Sequence, residues 1–139
     1  MRIISGTLKG RRLATPKGDT LRPTSDRVKE SMFNILGKKV EGKVVLDLFA
    51  GSGNLGIEAL SRGARKVIFV EKSGEAFRLI QRNLLACKME DRSEILLKDV
   101  NQAIHRLGEK EESFDLILMD PPYEKGLVQE TLKKLKKLS

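Results

Sequence analysis

Residues 46–60 read LDLFAGSGNLGIEAL and contain the pattern G-x-G-x-x-G at Gly51, Gly53 and Gly56. The run before the glycines, KVVLDLF (43–49), is apolar and β-branched, and GIEALSRG after it reads as a helix stopped by Gly63. Strand, glycine turn and helix in that order form the nucleotide-binding element of open α/β sheets. The rest of the chain repeats the alternation. KVIFVE (66–71), EILLKD (94–99) and FDLILMD (114–120) are short, nearly continuous apolar runs. Such runs fit parallel strands buried on both faces. Between them, Phe77, Ile80, Leu84 and Cys87 recur at helical spacing, and Val100, Ile104 and Leu107 mark a shorter helix. The expectation is a doubly wound α/β sheet.

Ahead of this body, RIISGTLKGRRLATPKGDTLRP (2–23) is rich in Gly, Pro and basic residues and reads as a short hairpin. TSDRVKESMFNILG (24–37) reads as a helix capped by Thr24 or Ser25, with Val28, Met32, Ile35 and Leu36 forming its apolar face. The net charge of +8 is unevenly placed: residues 1–43 carry 11 Lys/Arg against 4 Asp/Glu, and residues 44–139 carry 16 against 15. A basic segment on a nearly neutral body suits a polyanion, most commonly nucleic acid. The expected division is a basic arm over residues 1–24 and a catalytic domain over residues 25–139. With 139 residues one domain is expected, and no apolar run approaches a membrane span. The lone Cys87 and lone His105 exclude a disulfide and a His/Cys metal cluster within the chain, so a cytoplasmic protein without structural metal is expected. Cys87 is expected to be a packing residue, His105 a surface residue, and LKKLKKL (132–138) a solvated helix face.

The glycines alone do not say which cofactor they hold. A dinucleotide lays its pyrophosphate on such a loop, and a carboxylate nearby repels it. Asp47 lies in the first strand, four residues before Gly51, and favours a cofactor bearing an ammonium and a sulfonium, as S-adenosyl-L-methionine does. Glu71 ends the second strand, where a carboxylate accepts from two ribose hydroxyls of either cofactor. Asp99 ends the third, as an adenine contact, a helix cap before Val100, or both. Phe49, Lys72 and Val100 adjoin these positions and complete the candidate cofactor contacts. The fourth strand ends in Asp120-Pro121-Pro122-Tyr123. The prolines stiffen the backbone and remove two N–H donors, which leaves the Asp120 carboxylate and the Pro121 carbonyl as acceptors beside an aromatic ring. Two acceptors and a stacking face suit a planar substrate with an exocyclic NH2.

The combination DLFAGSG, VEK and DPPY, with RPTSDRVKESMFNIL in front, resembles the class I S-adenosylmethionine-dependent methyltransferases, and more narrowly the bacterial small-subunit ribosomal RNA guanine-N2 methyltransferases. DPPY is shared with DNA adenine-N6 enzymes, whereas RIISGTLKGRRL and RPTSDRVKE are more family-specific. The resemblance implies a Rossmann-like class I sheet in the order 3-2-1-4, S-adenosyl-L-methionine as cofactor and a ribosomal RNA guanosine as substrate, without metal. On this reading Arg2, Lys9, Arg11, Arg12, Lys17, Arg22 and Arg27 grip phosphates. The family carries seven strands, whereas four are legible here, so the chain is expected to be the N-terminal part of a longer protein, a monomer at full length. DNA adenine or protein-amide methylation, and a non-catalytic RNA-binding module assisting ribosome assembly, are the alternatives. A dehydrogenase is disfavoured by Asp47 and DPPY.

Overall fold

The computed structural model describes residues 1–15, 26–110, 113–120 and 127–136. Four strands, β1 (Val44–Leu48), β2 (Lys66–Glu71), β3 (Ser93–Leu97) and β4 (Leu116–Met119), form one sheet in the order β3-β2-β1-β4. All neighbouring pairs are parallel. Every strand lies within two residues of its expected ends. Parallel pairing requires crossovers, and helices α2 (Asn54–Ser61), α3 (Gly74–Cys87) and α4 (Val100–Glu109) supply them. Helix α1 (Asp26–Leu36) precedes the sheet and α5 (Leu127–Lys136) follows it.

Alternation along the strands divides the core in two. Val45, Val67, Phe69 and Leu118 face α2, α3 and Phe33 of α1, whereas Leu46, Leu48, Ile68, Val70 and Leu96 face Val100, Ala103, Ile104 and Leu107 of α4. Leu135 of α5 packs onto the second cluster, while Leu132 is about half exposed.

Helix α2 is buried along its whole length, because the N-terminal residues cover the face turned away from the sheet. Those residues form the expected hairpin: Arg2 bridges Arg12 antiparallel, and Ile3 donates to the Arg11 carbonyl at 2.8 Å. Ile3 and Leu13 enter the same core as Phe33 and Val45. The hairpin seats on Ser61, whose hydroxyl donates to the Ser5 carbonyl at 2.7 Å and whose carbonyl accepts from Thr7 at 2.9 Å. Gly6 fits this contact uniquely: its φ is +94°, and a Cβ there would lie 1.9 Å from the Ser61 carbonyl oxygen.

Beneath the hairpin sits a buried carboxylate. Glu58 Oε1 accepts from the Ile4 N–H at 2.9 Å and meets Lys29 Nζ at 3.3 Å. Its Oε2 accepts from the Ser5 N–H at 3.1 Å and from Arg62 Nε at 2.8 Å. Lys29 is fully enclosed and also donates to the Arg2 carbonyl and to Asn54 Oδ1, both at 2.6 Å. Burial holds the Lys29 ammonium below its ordinary pKa, and Glu58 opposes that shift.

This pair corrects the expected face of α1. Lys29 and Phe33 are its buried residues, Met32 and Leu36 are partly buried, and Val28 and Ile35 are 51% and 83% exposed. Apolar periodicity would have turned Val28 and Ile35 inward. A buried anion on α2 needs a cation, and that requirement sets the rotation of α1 instead. The Thr24 or Ser25 cap lies outside the described residues.

Removing one member of a buried pair leaves a charge unpaired. Glu58→Ala is therefore expected to lower unfolding stability by about 3–5 kcal/mol. In a double-mutant cycle with Lys29→Ala, measured by urea unfolding, the two costs should be less than additive by about 0.5–3 kcal/mol. Fully additive costs would contradict the pairing.

Candidate functional site

The carboxyl ends of the strands converge because their registers align. Leu48 pairs with Val70 and with Met119, and Glu71 pairs with Leu97. Phe49, Glu71 and Asp120 therefore follow at one level. Beyond β1 the chain turns sharply, with Phe49 at φ 58°, Gly51 at φ 59° and Gly53 at φ 84°. Helix α2 starts at Asn54, two residues before the GIEALSRG reading placed it.

The backbone donors of the three motif glycines are all committed within the protein. Gly51 donates to Glu71 Oε1 at 2.9 Å, Gly53 to the Ala50 carbonyl at 2.8 Å, and Gly56 to Asp47 Oδ2 at 3.0 Å. A pyrophosphate cradle needs such donors aimed at the ligand. Here two of the three end on carboxylates. The glycines are also not equivalent. A Cβ on Gly56 would lie 2.2 Å from Phe69 Cε1, so that glycine serves helix–strand packing. Among the described residues nothing lies within 4 Å of a Cβ built on Gly51, so this glycine is the candidate for bare backbone facing a ligand.

Glu71 is fixed at the loop tip, since its Oε2 accepts from the Ser73 N–H at 2.8 Å while Oε1 holds Gly51. A carboxylate oxygen has two lone pairs, so this arrangement keeps acceptor capacity for hydroxyls. Asp47 lies under the loop, only 1% exposed. Burial pushes its carboxyl up to about 8; the Gly56 N–H pulls against that, and Asp120 and Glu71 push it further. In the ligand-free protein Asp47 is thus not the standing negative charge that its position in the sequence suggests. Partial desolvation also raises the Asp120 carboxyl above the usual range.

Asp99 caps α4 in a capping box: its Oδ1 accepts from the Gln102 N–H at 2.8 Å, and Gln102 Oε1 accepts from the Asp99 N–H at 3.4 Å. Val100 is buried at the start of that helix, Lys72 is exposed beyond β2, and Phe49 packs against the second core cluster. Pro121, Pro122 and Tyr123 lie outside the described residues. So do Lys17 and Arg22. Arg2, Lys9, Arg11, Arg12 and Arg27 are exposed, and the Arg11 guanidinium also donates to the Ala86 carbonyl at the end of α3. Cys87 is buried, and His105 is exposed and pairs with Glu109 at 2.9 Å.

Sequence reasoning missed the polar residues that hold the loop from behind. Asn83 is buried at 2% exposure and donates to the Ser52 carbonyl at 3.0 Å. Its signal was present: with Ile80, Leu84 and Cys87 it completes an inward stripe at i, i+3, i+4 and i+7, and an amide in such a stripe needs polar partners inside.

The raised pKa of Asp47 fixes a sign. The folded state keeps a proton that the unfolded chain releases near pH 4, so stability from this group falls as pH rises towards about 8 and then levels. Asp47→Asn mimics the protonated form. In the ligand-free protein its stability advantage over wild type should grow between pH 5 and pH 8, by up to about 1.4 kcal/mol per pH unit. Thermal or urea unfolding across that range measures it, and parallel profiles would contradict the assignment.

Comparison with known proteins adds the kinship. The family description Conserved hypothetical protein 95 matches residues 1–139. The Bacillus subtilis protein YlbH is 45% identical over 88% of this chain and 67% of its own length. The ribosomal RNA small subunit methyltransferase D of Haemophilus influenzae is 36% identical over 95% of this chain and 68% of its own. The chain thus spans about two thirds of the length of these relatives. Among solved structures, the Escherichia coli protein yhhF superposes with a TM-score of 0.86 at 33% identity, covering 100% of this chain and 73% of that one. With its 3-2-1-4 parallel sheet and these relatives, the chain belongs to the Conserved hypothetical protein 95 family, a family with the class I methyltransferase fold.

Proposed function

We propose that the protein transfers a methyl group from S-adenosyl-L-methionine to the exocyclic N2 amine of a guanosine in small-subunit ribosomal RNA. The observation that carries the cofactor assignment is the commitment of the motif glycine N–H groups to Asp47, Glu71 and Ala50. That loop offers the Glu71 carboxylate, the Asp47 carboxyl and, among the described residues, uncovered backbone at Gly51 where a dinucleotide would need free donors. These acceptors fit a cationic amino-acid cofactor. Asp47, Phe49, Gly51, Gly53, Gly56, Glu71 and Lys72 would hold it from the first two strands, and Asp99 and Val100 from the third. Glu71 would take the ribose hydroxyls. A cationic ligand in the crevice would draw Asp47 towards its ionised form. The RNA assignment rests on the named relatives and on the exposed basic residues of the N-terminal segment. An RNA substrate of this kind puts the protein in the cytoplasm, and no helix among the described residues is long and apolar enough to cross a membrane.

When bound, S-adenosyl-L-methionine supplies an electrophilic methyl group on a sulfonium. The chain's part is to prepare the nucleophile. The lone pair of an aromatic amine is delocalised into the ring. Acceptors at Asp120 and Pro121 would favour a nitrogen whose lone pair is available and would stabilise the positive charge that develops on it, as an oxyanion hole does with opposite sign. Pro122 would stiffen the segment and Tyr123 would stack on the base. The nitrogen's proton would then leave to water or to Asp120. Residues 1–24, through Arg2, Lys9, Arg11, Arg12, Lys17 and Arg22, with Arg27 beyond them, would contact phosphates on behalf of the catalytic body over residues 25–139. Contacts of that kind fix register rather than read bases.

Two experiments test this. Calorimetric titration should show S-adenosyl-L-methionine binding that Glu71→Ala weakens by about 1–3 kcal/mol, the cost of leaving the ribose hydroxyls without a partner. Tighter binding of NADH would reject the cofactor. In a methyl-transfer assay on small-subunit ribosomal RNA, Asp120→Ala should abolish turnover with cofactor affinity nearly unchanged, and RNase treatment of the substrate should remove the signal. Turnover within a few-fold of wild type would exclude Asp120 from this role, and RNase-resistant transfer would exclude RNA as substrate.

A further inference from the structure

The glycine loop is gripped from its far side by the segment assigned to RNA. Asn83 Oδ1 accepts from the Ala14 N–H at 2.8 Å, and its Nδ2 donates to the Ala14 carbonyl at 3.1 Å and to the Ser52 carbonyl at 3.0 Å. One buried amide therefore ties the C-terminal end of the hairpin to the second residue of G-S-G. A separate thread runs from the other hairpin strand: the Arg2 carbonyl and Asn54 Oδ1 both accept from Lys29 Nζ at 2.6 Å, and Asn54 is the first residue of α2. Both hairpin strands thus end on loop residues 52 and 54, flanking Gly53. Arg2, Arg11 and Arg12 sit on the same two strands and are exposed. The polar valences of Asn83 that these bonds use are not needed for helix α3, whose stripe an apolar residue would complete.

We propose that Asn83 is a positioning residue that joins the N-terminal hairpin to the glycine loop, so that RNA on the hairpin and cofactor on the loop raise each other's affinity. This rests on the methyltransferase reading above. The sign follows from shared ordering. Fixing the hairpin fixes Ala14 and Arg2, hence Ser52 and Asn54, and a ligand that meets an already ordered loop loses less conformational freedom on binding. Thermodynamic linkage makes the effect reciprocal.

The test titrates the wild-type chain with S-adenosylhomocysteine, with and without small-subunit ribosomal RNA, as transcript and as assembled particle. RNA in at least one form should tighten S-adenosylhomocysteine by about 5-fold or more, the usual lower range of such coupling. Asn83→Asp keeps the shape, replaces the two N–H donors by an oxygen facing two carbonyls, and should reduce that factor to below about 2-fold while each ligand still binds alone. A merely structural Asn83 would lower the melting temperature and leave the factor intact, which would overturn the proposal. Should the variant not fold, amide exchange on wild type decides: RNA alone should slow exchange at residues 51–54, and S-adenosylhomocysteine alone should slow it at Ile3, Gly10 and Ala14. Exchange unmoved in both directions overturns the proposal. Wild-type binding of both ligands with a factor near one refutes the coupling and leaves the functional reading standing. Failure of wild type to bind either ligand refutes the functional reading, and the coupling with it.

Discussion

The structure turns on one carboxylate without access to water. Glu58 sits at the middle of α2, which the sheet covers on one side and the N-terminal hairpin on the other. Its four donors come from three places in the chain: Ile4 and Ser5 of the hairpin, Lys29 of α1, and Arg62 at the end of α2. An unsatisfied anion there would be untenable, so hairpin and α1 must dock together or not at all. That requirement explains the inward turn of Lys29, the outward turn of Ile35, and the contact at Gly6 that no side chain could enter.

The same arrangement links the glycine loop to the hairpin and to α1 by hydrogen bonds. From the front, Glu71 and Asp47 hold Gly51 and Gly56. From behind, Asn83 and Lys29 hold Ser52 and Asn54. Loops are normally the mobile part of a site. Here Gly51, Ser52, Asn54 and Gly56 are hydrogen-bonded by side chains from β2, α3, α1 and β1, which suits a reaction whose rate depends on holding two reactants in a fixed orientation. The loop's three glycine N–H donors are committed inward, and no described residue lies beside a Cβ built on Gly51. This distinguishes the site from a phosphate cradle built on the same glycine pattern.

Much of this was legible in the sequence. The four strand runs, the helices between them and the hairpin were visible because burial on both faces leaves continuous apolar runs, and burial on one face leaves a helical stripe. Asp47, Glu71, Asp99 and Asp120 stood out as candidate site residues because each ends or interrupts an apolar run at the carboxyl end of the sheet. Asp99 caps its helix as one of its two readings expected. The face of α1 was not legible. Apolar spacing points to Val28 and Ile35, and only the position of Glu58, on a different helix and 29 residues beyond Lys29, overrules it.

The sequence by itself thus determined the alternation of parallel strands and helices and the level at which the carboxylates collect, since these follow from local pattern and short-range connection, whereas the strand order came from the family resemblance. Tertiary structure alone decided which donors the glycine loop retains, why each glycine is there, and that Asp47 holds its proton up to about pH 8. It also decided that a basic N-terminal segment is wired through Asn83 and Lys29 to the loop. The reason is common to these cases. Burial of a polar group is settled by partners distant in the chain, and the energy of an unpartnered donor or charge depends on a three-dimensional enclosure that no local spacing encodes.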